Sequence, residues 1–175
     1  MSENPGGDED FERFAAGAYP SLVRFGFVLV GDRGHAEDLA QRALVKVFLR
    51  WAGIEKKGSA GAYARIVMAR DATKWRRRRW RDEHPTDFAD VSLHPTEDQE
   101  RHLEATEMLR QALMTLPIEQ RAVIVLRYYA GFTEVEIASA LRVAPGTVKS
   151  RAARALEALA QSGVRGASAV SEGLR

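Results

Sequence analysis

The segment over residues 82–100 limits what this chain can fold into more than any other feature. It reads DEHPTDFADVSLHPTEDQE, with seven acidic residues, two prolines and no lysine or arginine. Few large apolar residues and no helical period are typical of a flexible linker rather than of a packed domain. We therefore predict two small domains, over residues 11–81 and 101–161, followed by a flexible tail over residues 162–175.

Composition sets further limits on function. Hydrophobic residues make up 45% and charged residues 29% of the 175 residues, which is a globular balance. Cysteine is absent, so disulfides, thiolate zinc sites, iron–sulfur clusters and a cysteine nucleophile are excluded. The acidic N-terminus differs from a secretory signal, and no stretch approaches about 20 apolar residues. We expect a cytoplasmic protein that inserts into no membrane.

The first domain carries helical patterns and no strand pattern. Pro20 interrupts the apolar-rich residues 11–30 and Gly31 ends them, which predicts a helix pair or one kinked helix. Residues 36–51 are predicted to form an amphipathic helix. The apolar side of that helix consists of Ala36, Leu39, Ala40, Ala43, Val47 and Trp51.

A third helix is predicted to run from a cap at Ser59 into the basic cluster KWRRRRWR over residues 74–81. Its apolar side consists of Ala62, Ile66 and Ala69, and its basic side consists of Arg70, Lys74, Arg77, Arg78 and Arg81. The cluster holds six cations and no acid. Cations interleaved with Trp75 and Trp80 favour a site for single-stranded or melted nucleic acid. The alternatives are a solvated helix end or a nuclear-localisation-like run, and for the tryptophans a place in the core.

The second domain ends in a predicted helix-turn-helix, which makes the fold class all-α. Pro117 opens a helix that ends before Gly131 and has an apolar side made of Ile118, Ala122, Val125 and Tyr129. Thr133 and Glu136 predict a capping box for a short helix through Leu141. Pro145 then opens a longer helix whose apolar side consists of Val148, Ala152, Ala155 and Leu159.

The last helix carries polar and basic side chains away from its apolar side. They are Thr147, Lys149, Ser150, Arg151 and Arg154. Side chains of these types near the start of a helix contact base edges and phosphates in a major groove. This pattern predicts DNA binding by the last helix, and a solvated basic face is the alternative.

Catalysis and metal binding are not expected. The histidines His35, His84, His94 and His102 are scattered without metal-ligand spacing. The sequence contains no phosphate-binding glycine loop, nucleophile elbow or paired-histidine zinc motif. We therefore predict a protein that is not an enzyme and needs neither metal nor cofactor.

Three segments together resemble the sigma-70 family of bacterial RNA polymerase sigma factors, in its extracytoplasmic-function class. They are AEDLAQRALVKVFLRW at 36–51, AYARIVMARDATKWRRRR at 62–79 and LPIEQRAVIVLRYYAGFTEVEIASALRVAPGTVKSRAARAL at 116–156. The resemblance covers residues 11–161. It implies a subunit that binds core polymerase, recognises the −10 and −35 promoter elements and promotes DNA melting.

The resemblance also implies roles for individual residues and partners. The clamp helices of the β′ subunit would be contacted by Asp38, Leu39, Gln41 and Arg42. The −10 element would be contacted by Arg65, Arg70, Lys74, Trp75, Arg76, Arg77, Arg78 and Arg79. The −35 element would be read by Thr147, Lys149, Ser150, Arg151 and Arg154. Further implied partners are the β flap and an anti-sigma factor. The acidic linker would stand in for RNA in the polymerase channel, and a plain tether is the alternative.

Three positions depart from the family pattern. Arg142 stands where glycine usually ends the first helix of the helix-turn-helix, and a left-handed backbone there costs on the order of 1 kcal/mol. Ala144 replaces the usual serine-type cap before the last helix. Arg70 stands where an asparagine often serves the −10 strand.

A rival hypothesis is a stand-alone helix-turn-helix repressor or activator that binds one palindromic operator as a dimer. The second basic cluster, over residues 74–81, counts against this hypothesis because a ligand-sensing domain has no use for it.

Overall fold

A computed structural model describes residues 5–54, 59–79 and 107–162 of the chain. These ranges contain helices and no strand, so the predicted all-α fold class is confirmed. The chain divides into two compact units, Met1–Ala72 and Thr73–Arg175. The predicted linker, most of the predicted tail, and His84, His94 and His102 lie outside the described residues. The predicted domain boundaries stay a prediction.

The helices follow in this order along the chain: α1 is Pro5–Val30, α2 is Arg33–Phe48 and α3 is Ala60–Arg79, with a 3₁₀ turn at Trp51–Gly53 before α3. In the second unit, α4 covers residues 107–115. It is followed by α5 (Ile118–Ile124), a π-helical turn (Val125–Tyr129), α6 (Glu134–Leu141) and α7 (Pro145–Gln161). Within the described residues, no helix is long and apolar enough to cross a bilayer.

The helix α1 is continuous, so the alternative of a helix pair is wrong. Pro20 lies inside α1 and is exposed, which places its ring on the solvent side. Proline removes one backbone hydrogen bond, but the helix persists because residues beyond it are fully buried. These residues are Leu22, Phe25 and Leu29, each with 0% exposure.

A two-residue turn connects α1 to α2. Gly31 adopts a φ of 76° and donates its N–H to the carbonyl of Phe27 at 2.7 Å, which ends α1. Asp32 then caps α2, because its side chain accepts a hydrogen bond from the N–H of His35 at 2.8 Å. The turn fixes α1 and α2 as neighbours.

The predicted apolar side of α2 is confirmed, since Ala36, Leu39, Ala40, Ala43 and Val47 are all buried. The predicted end is wrong, because α2 stops at Phe48 and the buried Trp51 belongs to the 3₁₀ turn. Trp51 packs against two rings of α1, with centroid distances of 5.4 Å to Phe11 and 5.2 Å to Phe14. This aromatic contact secures the turn after α2 against the start of α1.

The buried side of α3 agrees with the predicted one only in part. Ala69 is buried as predicted, but Ala62 and Ile66 are half-buried. The fully or nearly fully buried residues are Ala60, Ala64, Val67, Met68, Ala69 and Ala72. A close approach between Gly26 of α1 and Met68 of α3 explains why this side of α3 is buried. A Cβ added to Gly26 of α1 would lie 2.9 Å from Met68 Cε and 3.0 Å from Ala36 Cα. The glycine therefore lets α1, α2 and α3 meet, and Met68 must face inwards.

In the second unit, α4 and α5 are joined by a buried arginine. Arg121 is 2% exposed and donates to the carbonyls of Met114 at 3.0 Å and Leu116 at 2.8 Å. Carbonyls at the end of a helix lack partners within the helix, so Arg121 satisfies acceptors where α4 ends. Pro117 is the N-cap of α5 rather than its first residue. Sequence periodicity missed both α4 and this arginine.

The helix α5 continues into a π-helical turn, in which Ala130 donates to the carbonyl of Val125 at 3.1 Å. The predicted buried residues Ile118, Ala122 and Val125 are confirmed, and Tyr129 is half-buried. Arg127 forms an ion pair with Glu134 at 2.5 Å, which connects this turn to the start of α6.

Candidate nucleic-acid interface

The helix α6 begins at a complete capping box, as predicted. Thr133 Oγ1 accepts a hydrogen bond from the N–H of Glu136, and Glu136 Oε2 accepts one from the N–H of Thr133 at 2.8 Å. These backbone and side-chain hydrogen bonds from Thr133 hold the pKa of Glu136 below its usual value. The start of α6 is thereby fixed by local sequence alone.

The turn between α6 and α7 has a left-handed residue at Arg142, with φ 55° and ψ 50°. The N–H of Val143 donates to the carbonyl of Ala138 at 3.0 Å, and that of Arg142 donates to Ser139 at 3.3 Å. These two bonds form a Schellman motif, which usually has glycine at the left-handed position. Arg142 is the one non-glycine residue with positive φ in the ranges that the structure describes.

The helix α7 starts at Pro145 after Ala144, which makes no side-chain cap. Its predicted apolar side is confirmed, since Val148, Ala152, Ala155 and Leu159 are all buried. This side packs against α5 and α6. The packing fixes which side of α7 faces solvent.

The exposed side of α7 carries most of the residues that the sequence assigned to DNA. Lys149, Ser150 and Arg154 are exposed, and Thr147 and Arg151 are half-buried. Ser150 Oγ also donates to the carbonyl of Thr147 at 3.1 Å. Two cations and a hydroxyl thus lie on the solvent side of a helix that follows a capped helix and a tight turn. This arrangement fits insertion into a major groove.

The helix α3 extends as a regular helix to Arg79, which includes the first part of the basic cluster. Lys74 is exposed, and Arg65 and Arg70 are half-buried. The backbone of Trp75, Arg76, Arg77, Arg78 and Arg79 is helical, and Trp80 and Arg81 lie outside the described residues. The described backbone therefore carries the first part of the basic cluster on a continuous helix.

On α2, the residues assigned to a protein partner separate into two groups. Asp38, Gln41 and Arg42 are exposed, and Arg42 lies 3.8 Å from Asp38 as an i,i+4 ion pair. Leu39 is 6% exposed and packs in the core, and its assignment to polymerase stays a prediction. The apolar period of α2 already placed Leu39 on the inner side.

One ion pair near these helices escaped the sequence analysis. Lys46 of α2 donates to both carboxylate oxygens of Asp71 on α3, at 3.0 Å to Oδ1 and 2.7 Å to Oδ2. The two residues are 25 positions apart, so no local pattern could have identified them as partners. The only hint in the sequence is that Asp71 is the single acid in α3.

No group of three or more metal-binding side chains occurs in the described parts of the chain. His35 lies at the start of α2, with Nδ1 at 3.1 Å from Asp32 Oδ1. That contact belongs to the cap of α2. The main chemical feature of the described helices is therefore the positive charge on α3 and α7.

The matches found by comparison with known proteins agree with one another. The family model "Sigma-70 region 2" matches residues 16–82, and "Sigma-70, region 4" matches residues 106–159. The RNA polymerase sigma-E factor of Streptomyces avermitilis is 38% identical over 151 residues, which cover 86% of this chain and 83% of that protein. The ECF RNA polymerase sigma factor SigX of Bacillus subtilis is 29% identical over 161 residues, which cover 87% of this chain and 82% of that protein.

A solved structure is similar as well. It is the co-crystal structure of the sigma factor RpoE in complex with the anti-sigma factor NepR from Bartonella quintana. The match has a TM-score of 0.67 and 26% sequence identity, and it covers 90% of this chain and 98% of the other.

Proposed function

Since the chain belongs to the sigma-70 family and is an RNA polymerase sigma factor of the extracytoplasmic-function type, we propose that it contacts the −10 and −35 promoter elements through different helices. It is a transcription initiation factor and not an enzyme. The observation that carries the proposal is the solvent-facing basic side of α7, which follows the capped α6 and a tight turn.

For the −35 element, α7 is the reading helix. Lys149 and Arg154 are exposed and can reach phosphates or the acceptor edge of guanine, while Ser150 offers a hydroxyl. Arg151 and Thr147 are half-buried and approach the groove from the edge of the same surface. The burial of the opposite side of α7 leaves this surface as the one available to DNA.

For the −10 element, the assignment rests on the basic end of α3. Its candidates are Arg65, Arg70, Lys74, Trp75, Arg76, Arg77, Arg78 and Arg79. Exposed Lys74 supports a phosphate contact, and the run of arginines supplies charge for a melted strand. Arg70 gives the site a cation at the position where the family resemblance implies an asparagine.

Core RNA polymerase and promoter DNA are the partners that this function requires, which places the protein in the cytoplasm. We assign the exposed Asp38, Gln41 and Arg42 of α2 to the β′ clamp helices and the second domain to the β flap. The domain boundaries in this proposal are 11–81 and 101–161, joined by the acidic linker over residues 82–100. The relative solved with the anti-sigma factor NepR supports an anti-sigma partner here too.

The test is retention of a fork-junction promoter library by the purified protein, with and without core polymerase, followed by sequencing of the retained DNA. We expect retention that requires core polymerase and yields two elements separated by a promoter spacer. Retention of one palindromic site without core polymerase would instead establish a stand-alone repressor or activator.

The assignment of α7 has its own variant. Arg154→Ala should weaken binding to promoters with a −35 element by about 1–3 kcal/mol, which is roughly five- to 150-fold, and leave the affinity for core polymerase unchanged. Arg24→Ala is the matched control, because Arg24 is also an exposed arginine but lies on α1, outside the proposed sites. A loss of core binding by Arg154→Ala would contradict the assignment.

A further inference from the structure

We propose that Lys46 is a positioning residue for the DNA-contacting end of α3. It neutralises Asp71, so that Lys74 is available to bind a DNA phosphate. This inference rests on the proposed contact of α3 with the −10 element. Lys46 itself lies on α2, the helix that we assign to polymerase.

The geometry of the pair is specific. Lys46 Nζ is within 3.0 Å of both oxygens of Asp71, so one ammonium group engages the whole carboxylate. The side chain of Asp71 is 18% exposed, and that of Lys46 is 46% exposed. Asp71 is therefore held at the surface of α3 by a partner from another helix, and it does not point freely into solvent.

The location of Asp71 explains why a partner is needed. Asp71 is the only acid in α3 and lies three residues before Lys74, which is helical spacing for a contact on the same side. Lys74 is exposed and forms no ion pair with any residue that the structure describes. Without Lys46, the carboxylate would attract Lys74 and repel a phosphate at the same place.

A structural role alone does not account for this pair. Partly exposed ion pairs contribute little to stability, because solvent screens them and ordering two side chains costs entropy. Their effect on a bound polyanion is larger, since every phosphate contact adds to the release of counterions from DNA. The pair is therefore better placed to affect DNA binding than folding.

The experiment measures the binding of a fluorescein-labelled fork-junction DNA, chosen from those that the wild-type holoenzyme retains. Affinities are measured at several salt concentrations with core polymerase in saturating amounts. The variants are Lys46→Met, Asp71→Asn and the double variant. Arg33→Met is the matched control, because it removes a different exposed cation of α2 that also forms an ion pair with a carboxylate, that of Glu37 at 3.0 Å.

Lys46→Met should lower the slope of log K against log salt by about 0.7–0.9, the value of one phosphate contact, and weaken binding about five- to eightfold near 0.1 M salt. Asp71→Asn and the double variant should bind at least as well as the wild type, because no carboxylate remains to be neutralised. Arg33→Met should leave the slope unchanged.

Two results would overturn the inference while the proposed function stands. One is wild-type binding by Lys46→Met. The other is a double variant as weak as Lys46→Met, which would mean that the pair holds α3 in place mechanically. If the wild-type holoenzyme retains no DNA at all, the proposed function fails and this inference fails with it.

Discussion

Replacing Arg142 by glycine tests the left-handed turn before α7. The backbone of Arg142 has φ 55° and ψ 50°, a conformation in which a Cβ atom crowds the neighbouring carbonyl oxygen. Glycine has no Cβ and is the usual residue at this position of a Schellman motif. The substitution keeps the two backbone hydrogen bonds of the turn, from Val143 to Ala138 and from Arg142 to Ser139.

The magnitude follows from two opposing effects. Removing the Cβ from a left-handed position relieves about 1–2 kcal/mol. Glycine also increases the entropy of the unfolded chain, which costs about 0.5–1 kcal/mol. We therefore expect Arg142→Gly to raise the free energy of unfolding of the second unit by about 0.5–1 kcal/mol. That change corresponds to a rise of about 2–8 °C in its melting temperature.

The assay is thermal and urea-induced unfolding of the full chain, with Arg142→Ala as the control. Alanine removes the charge but keeps the Cβ, so it should give no stabilisation. If Arg142→Gly is no more stable than Arg142→Ala, the strain that we assign to this turn does not exist. A gain shared by both variants would instead attribute the effect to the positive charge.

Four further substitutions test the packing and the caps. Gly26→Ala should destabilise the first unit by about 1–3 kcal/mol in urea unfolding, because its Cβ would lie 3.0 Å from the backbone of Ala36. Arg121→Met should lower the free energy of unfolding of the second unit by about 1–3 kcal/mol or more. The carbonyls of Met114 and Leu116 lose this donor. Thr133→Ala should lower the free energy of unfolding by about 1 kcal/mol, because α6 loses its N-cap. The lowered pKa of Glu136 predicts a stabilising effect that is complete above the unfolded value of about 4.3 and is lost as the pH falls through the folded pKa. Glu136→Gln should remove that dependence in a pH series of urea unfolding.

The helices with strong local signals could be predicted from the sequence. The buried side of α7 and the capping box of α6 both match the structure, because caps and an apolar period act within a few residues. The sequence marked Arg142 as the residue at this turn and left its backbone conformation open, and the structure shows it to be left-handed. Most of the −35 candidates lie on the exposed side of α7 for the same reason.

Other features depended on contacts that the sequence does not reveal. In α3, alanines occur on several sides of the helix, so the period did not show which side is buried. Gly26 decides this by admitting Met68 and Ala36 together. The continuity of α1 through Pro20 also reflects burial of residues beyond it. The pairing of Lys46 with Asp71 is a tertiary contact, which single-sequence patterns cannot detect.

The charge distribution explains why polymerase is needed for promoter recognition in our proposal. The exposed cations of α7 are few, and its exposed side reaches the acid Glu157 one turn after Arg154. Such a helix makes only a small number of phosphate contacts, and its affinity alone falls steeply with salt. A second contact at α3 converts the binding of each element into an intramolecular step with a high effective concentration, provided that the two domains are held at the promoter spacing. In our proposal, the surface of core polymerase supplies this spacing. In that proposal, the dependence on polymerase is a consequence of two weak DNA contacts.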